Sequence, residues 1–261
     1  MWRLVALVLS LAAAAIAAPP TALDLARQLK ELKLDPDNCY RVHELNFHKE
    51  DIRFFLTEGY LIFSKPVAGR PLAAAFVTDV EGGDGEILLF PPLASERRLL
   101  ASYTQSPNLS EHIQTALFFF TDATYETLME LIRADAGIRK KPDAGALLAD
   151  NLSSVARNLA ASYETRLVGD LLAEDTANGF FYAAVTGKKL GNFDLLYDPR
   201  LNEQINVGQV TVRNQRVFFD SWTSFAARSF RNRTRQGPGP YLALQGFRIE
   251  ATLTPDLSLR V

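Results

Sequence analysis

The sequence predicts an α+β fold: antiparallel β-sheets covered by helices, in two similar-sized halves, ending in an extra strand that would begin a further β domain. Three observations carry this. Strand-like runs bounded by Gly, Pro and Asn/Asp turns fill residues 40–90 and return after residue 180. Leucines at helical spacing lie between them. Phenylalanines also come side by side, at Phe54-Phe55, Phe118 to Phe120, Phe180-Phe181 and Phe218-Phe219. Successive strand residues point to opposite faces, so adjacent phenylalanines call for strands covered on both sides, with helices as the cover.

The first residues are Met-Trp-Arg, then the apolar run Leu4 to Ala18, with Ala15-Ile16-Ala17 as a small-x-small exit and Pro19-Pro20 behind it. This pattern predicts a secretory signal peptide over 1–17. The run is shorter than the roughly 20 residues a spanning helix needs, and no later segment is apolar enough to cross a bilayer. The expectation is an exported chain, periplasmic or extracellular, with no transmembrane segment after signal cleavage.

Over 18–140 the spacing predicts a helix from about 22 to 33, opened by Thr21 with Asp24 and closed by Asp35-Pro36. Strands follow at Val42 to Phe47, Ile52 to Leu56, Tyr60 to Phe63, Ala73 to Val80 and Ile87 to Phe90, with Glu58-Gly59 and Gly82 to Gly85 as turns. Ser95 would cap a short helix through Leu100. Ala116 to Phe120 is an apolar run, and Thr121 or Asp122 caps a helix over 123–135 that Gly137 stops. The polar joint Ile138 to Asp143 divides this part from a second half, 141–240. That half begins with a helical region over 144–172 striped by Leu147, Leu148, Leu152, Val155, Leu159 and Tyr163. Strands return at Phe180 to Thr186, Phe193 to Tyr197, Val207 to Val212 and Val217 to Trp222. Val77-Thr78 with Leu88 to Glu96 parallels Val185-Thr186 with Leu195 to Glu203, as two related hairpins from a duplication would, or as any two hairpins ending in proline would.

Composition limits the function. With 48% hydrophobic and 10% aromatic residues, the chain has the apolar surface for a packed core. The 28 Lys+Arg against 30 Asp+Glu, net −2, exclude a protein built to coat nucleic acid. One cysteine, Cys39, excludes an internal disulfide framework and reads as a quiet structural thiol. Asn108, Asn151 and Asn232 sit in Asn-x-Ser/Thr triplets, read as chance matches.

No catalytic, cofactor-binding or metal-binding residue emerges. His43 and His48 flank Glu44, but positions five apart diverge by about 140° on a helix and fall on opposite faces of a strand. The remaining histidine, His112, is far away in sequence. Gly-x-Ser-x-Gly is absent. Thr186-Gly187-Lys188-Lys189 lacks the first glycine and the magnesium-binding hydroxyl of a phosphate loop, and reads as a hairpin turn. Asp79, Glu81, Asp84 and Glu86 around Gly82, Gly83 and Gly85 form either a calcium loop or a solvated turn, and the turn is favoured because the acids lack EF-hand register. Arg228, Arg231, Arg233 and Arg235 before Gln236-Gly-Pro-Gly-Pro240 read as a solvated linker, secondarily as an anion contact.

Residues 241–261 start a new strand pattern. Phe247-Arg-Ile-Glu-Ala-Thr-Leu-Thr-Pro-Asp-Leu257 resembles the first strand of the β-rich amino-terminal domain of zinc aminopeptidases of the membrane alanyl aminopeptidase family, and residues 35–240 resemble the region upstream of it in exported bacterial relatives. The family's His-Glu-x-x-His and Gly-x-Met-Glu-Asn motifs are missing, so no catalytic role is carried over. The resemblance implies a non-catalytic exported module that packs against, or positions peptide substrate for, a peptidase domain in cis. No cofactor is implied in this chain, and zinc enters only with such a downstream domain. The alternative from another class is an independent periplasmic peptide or small-ligand binding protein using a groove between the halves; an unrecognised hydrolase is third.

Overall fold

The structure, a computed structural model, describes residues 19–239, Gly246, 251–255 and 259–260. The predicted signal peptide and most of 241–261 lie outside the described residues. In chain order the elements are α1 (Ala22–Lys30), β1 (Leu34–Lys49), β2 (Ile52–Ser64), β3 (Ala73–Val77), β4 (Asp84–Leu89), α2 (Ala94–Thr104), β5 (Leu109–Phe120), α3 (Thr124–Ala134), β6 (Arg139–Lys140), α4 (Pro142–Ser162), α5 (Glu164–Ala173), β7 (Phe181–Gly187), β8 (Asn192–Tyr197), β9 (Ile205–Arg213), β10 (Arg216–Phe225), α6 (Arg228–Arg231), β11 (Thr252–Leu253) and β12 (Leu259–Arg260). The class is α+β, as expected.

All strands up to β10 join one antiparallel sheet in the order β10-β9-β8-β7-β5-β3-β2-β1-β6, with β4 between β2 and β5. The joint near residue 140 divides the sequence, yet the strands on either side of it share this sheet. β5 pairs directly with β7 from Phe120↔Phe181 to Ile113↔Gly187.

Two cores follow from strand alternation. Phe54, Phe118, Phe120, Phe181, Phe193 and Trp222 enter one cluster, roofed by Leu100 of α2 and Leu128, Met129 and Ile132 of α3. Phe119, Phe180, Tyr182 and Leu117 enter the other, roofed by Leu25 and Leu29 of α1, Ala156 and Ala160 of α4 and Leu167 of α5. The adjacent phenylalanines of β5 thus point to opposite, covered faces. In the first cluster, Phe47 stacks on Phe54 at 4.7 Å, and Phe54 meets Phe118 edge-on at 5.5 Å. Helix caps agree with the sequence only in part: α2 starts at Ala94 with Leu93 at its cap position, so Ser95 lies inside the helix instead of capping it, and Ala123 holds the cap position of α3. Thr21 and Asp24 form a reciprocal capping box on α1, and the Asp122 carboxylate accepts the Thr124 N–H at the start of α3.

Four further local expectations change. Glu58-Gly59 is no turn, because β2 runs straight through it; a Cβ on Gly59 would lie 2.5 Å from the Phe76 ring, so the glycine admits that ring against the strand. β3 and β4 form no hairpin. Both run antiparallel to β2 and to β5, filling one lane end to end around the Thr78–Gly83 excursion, whereas β7 and β8 do form a hairpin. The paired-hairpin duplication therefore has no shared geometry. The long helix breaks at Tyr163 into α4 and α5, and the leucine stripe is only part of its inner face: Leu148, Leu152, Leu159 and Tyr163 pack half-buried against the second core. Leu147 is 65% exposed and Val155 43%, while Gly145, Ser153, Ala156 and Ala160 face inward. Small residues are needed there because α4 lies close on β1: a Cβ on Gly145 would stand 2.4 Å from the Pro36 carbonyl, and Ser153 accepts the Leu34 N–H. Finally, Phe218 and Phe219 are 44% and 45% exposed, where cover on both faces was expected.

Candidate functional site

The arginine-rich segment after β10 belongs to a dense polar cluster joining distant parts of the chain. The β1–β2 turn presents Glu50, held in the left-handed region at φ 54, and Asp51, which is buried. Arg231 donates to both Asp51 oxygens, at 3.1 and 2.9 Å, and the Arg228 backbone N–H reaches the same carboxylate at 3.0 Å. Ser229 donates to Glu50 through its backbone N–H and its hydroxyl, at 3.0 and 2.7 Å. The two acids thereby bind the first turn of α6, whose N–H groups have no partner within the helix. Further on, Arg235 donates to the Tyr197 hydroxyl at 2.6 Å and to the Ala177 carbonyl, with its guanidinium over the Phe230 ring. Arg231 likewise lies over Phe225.

The expected solvated linker is therefore a clamp over Arg228–Arg235. Arg228 and Arg231 are matched by Asp51, about 180 residues earlier in the chain, a separation that no local pattern reveals. Glu50-Asp51 and the arginine run were both visible in the sequence, and only folding placed them together.

Beside the clamp, His48, Lys49, Glu50, Asp122, Tyr197, Arg228 and Arg235 line an open concavity of about 290 Å³. Its charges largely satisfy one another. Lys49 pairs with Asp122 at 2.9 Å and lies over the Phe181 ring, and Tyr197 donates to Glu50 at 3.4 Å. Burial drives the Tyr197 phenol well above its ordinary value, against the opposing pull of Arg235, so it stays a neutral hydrogen-bonding group. Such a set fixes geometry; it holds no base and nucleophile aimed at a common point.

The remaining sequence candidates are dispersed. His43 bonds Glu58, which also takes Arg41 at the other oxygen; the Glu58 bond raises the imidazole pKa. In the acidic loop, Asp84 accepts from His112 at 2.9 Å and Lys188 at 3.2 Å, and Glu86 from Ser110. Burial opposes ionisation of Asp84, but those two donors outweigh it and hold the pKa down. Among the described residues, no group of three His, Cys, Asp or Glu stands close enough to hold a metal ion. Gly187-Lys188-Lys189 is a hairpin turn, tied by Lys189 N–H to the buried Glu111 carboxylate at 2.7 Å. Cys39 lies buried beneath α4, and burial pushes its thiol up to about 11, a quiet structural cysteine. No helix among the described residues is long and apolar enough to cross a membrane.

Comparison with known proteins finds no matching family, no similar curated protein and no similar solved structure.

Proposed function

We propose that this chain is a non-catalytic exported module of a metallo-aminopeptidase-like protein, which packs against, or positions peptide substrate for, a peptidase domain that the chain does not itself contain. The observation that carries the reading is the clamped exit. Arg231 and Arg235 tie the segment after β10 to Asp51, Tyr197 and Ala177. Gly237 then passes so close to the Pro199 carbonyl that a Cβ would stand 2.3 Å from it. A flexible leash needs no buried carboxylate to hold its root; a module that aims the next domain does.

Two further observations support it. Of residues 246–255 the described ones include Thr252 and Leu253, which pair with Arg260 and Leu259 in a separate two-stranded sheet. This agrees with a second unit beginning after the Gly-Pro linker. The two halves of the larger unit meet as hydrogen-bonded neighbours, β5 on β7, which supports a single continuous module; the concavity that both halves line beside the clamp is the feature the rival binding-protein reading would use.

The reading frame downstream of Val261, taken from genomic DNA, tests the proposal. The expected continuation encodes His-Glu-x-x-His with a downstream glutamate ligand. A stop codon directly after Val261 would overturn the module reading and put ligand screening of an independent binding protein in its place.

A further inference from the structure

Strands β9 and β10 run on beyond the end of their pairing with β8, which stops at Asp194↔Gly208, and project as a two-stranded arm. Strand alternation sorts its side chains. Val210, Val212, Val217 and Phe219 lie on one face, 51%, 69%, 71% and 45% exposed. Thr211, Arg213, Arg216, Phe218 and Asp220 lie on the other. There Thr211 and Arg213 both reach Oδ2 of Asp220, and the Arg213 guanidinium lies over Phe218. β10 is the outermost strand of the sheet, so one whole edge of it is unpaired by any described strand.

The arm turns through Asn214 and Gln215, both at positive φ, 51° and 62°, a two-residue turn flanked by the pair Arg213↔Arg216. That closing pair exchanges its hydrogen bonds across the hairpin. Arg216, Phe218 and Asp220 therefore turn their N–H and C=O groups toward β9, and Val217 and Phe219 turn theirs out to the edge. The outer edge of Arg216-Val217-Phe218-Phe219-Asp220 is self-complementary. Laid antiparallel on itself about Phe218, it sets Val217 opposite Phe219, both with outward-facing backbone groups, in hydrogen-bonded pairs. Arg216 then falls opposite Asp220, and Phe218 opposite Phe218, at the non-hydrogen-bonded positions where side chains approach closest. A register shifted by one residue would set inward-facing backbone groups against outward-facing ones and make no ladder. Beyond Asp220 the bulge between Ser221 and Thr223 ends the regular edge.

We infer that β10 is a homodimer edge: two copies of this chain pair antiparallel through Arg216–Asp220, joining their sheets across a two-fold axis at Phe218. Arg216 makes no ion pair among the described residues, and in the dimer it meets Asp220 of the second copy. The apolar strips of the two arms become one, with Val217 of each copy beside Phe219 of the other. The isologous geometry follows from the palindromic charge pattern, since each pair is made twice.

Sedimentation velocity on the chain lacking residues 1–17 tests this, over a dilution series. The expected species is a dimer at high concentration. Val217→Pro removes an outward N–H that the β9–β10 ladder does not use, and is expected to give a monomer. Arg216→Asp and Asp220→Arg each place like charges across the axis and are expected to be monomeric alone; mixed in equal amounts they restore complementarity at both pairs and form a heterodimer. Thermal melting checks that each variant is folded, and the mixed pair succeeds only if both are. A monomeric wild type at every concentration overturns the inference, as does a dimer that survives Val217→Pro and both charge reversals. Flotation of a monomeric wild type with phosphatidylglycerol vesicles would assign the arm to a lipid surface instead.

Discussion

Phe118 to Phe120 in β5 and Phe218-Phe219 in β10 carry the same sequence signature and end in opposite environments. Every ring of the first set is fully buried, and both of the second are nearly half exposed. The difference is position in the sheet. β5 lies between β3 and β7, under α2 and α3 on one side and α1, α4 and α5 on the other, whereas the arm of β9 and β10 projects past β8 and leaves Val210, Val212, Val217, Phe218 and Phe219 exposed. Side-by-side phenylalanines therefore report strands with two apolar faces, and whether both faces are covered depends on which layers reach them. An uncovered pair on an edge strand is a different object from a buried pair: its apolar area is still available for association.

The comparison breaks most visibly in the core. Phe118→Ala removes a ring that touches Phe47, Phe54 and Phe181, and is expected to cost about 3–5 kcal/mol in chemical denaturation. Phe219→Ala in the same assay, at a concentration where the chain is monomeric, is expected within about 0.5 kcal/mol of wild type. Equal losses at the two sites would show that the arm is covered in solution.

Next in size is the clamp. Asp51→Ala leaves Arg231 without its bidentate partner and opens the backbone bond to Arg228, with an expected loss of about 3 kcal/mol. Hydrogen exchange over Arg228–Arg235 should rise with it, while protection in β5 is retained. A smaller loss, about 1–3 kcal/mol by equilibrium unfolding, is expected for Gly145→Ala, since the new methyl meets the Pro36 carbonyl and must push α4 off β1.

The smallest effect lies on the surface of β1 and β2. The bond to Glu58 raises the His43 pKa above 6.5, so the pair's contribution is complete below pH 6.5 and is lost as the pH rises through the raised value. Following His43 by NMR titration, Glu58→Gln is expected to lower its midpoint. An unchanged midpoint would place the Glu58 contact outside the solution structure.

Much of the fold was legible in the sequence because it rests on local rules. The Thr21–Asp24 box, Asp122 at the start of α3, the strand positions from β7 to β10 and the opposed faces of Phe118, Phe119 and Phe120 all follow from caps, turns and alternation. The larger errors share one cause. Gly59, the β3–β4 lane, the small-residue face of α4 and the clamp each depend on a second segment arriving from far along the chain: Phe76 onto Gly59, β2 and β5 around β4, Pro36 under Gly145, Asp51 against Arg231. In each case the residue type suited two local readings, and only the distant partner chose between them.

From the sequence alone came the α+β class, the predicted export signal, the moderate net charge and the resemblance of its last segment to the start of an aminopeptidase domain, because composition, hydrophobic period and short motifs are properties of the chain itself. Tertiary structure alone decided that both halves build one sheet, that the basic run is a clamp, and that one phenylalanine pair is buried while another stands at an open edge. Cover and charge pairing depend on which surfaces meet, and that is settled by packing between segments whose separation in sequence carries no local signal.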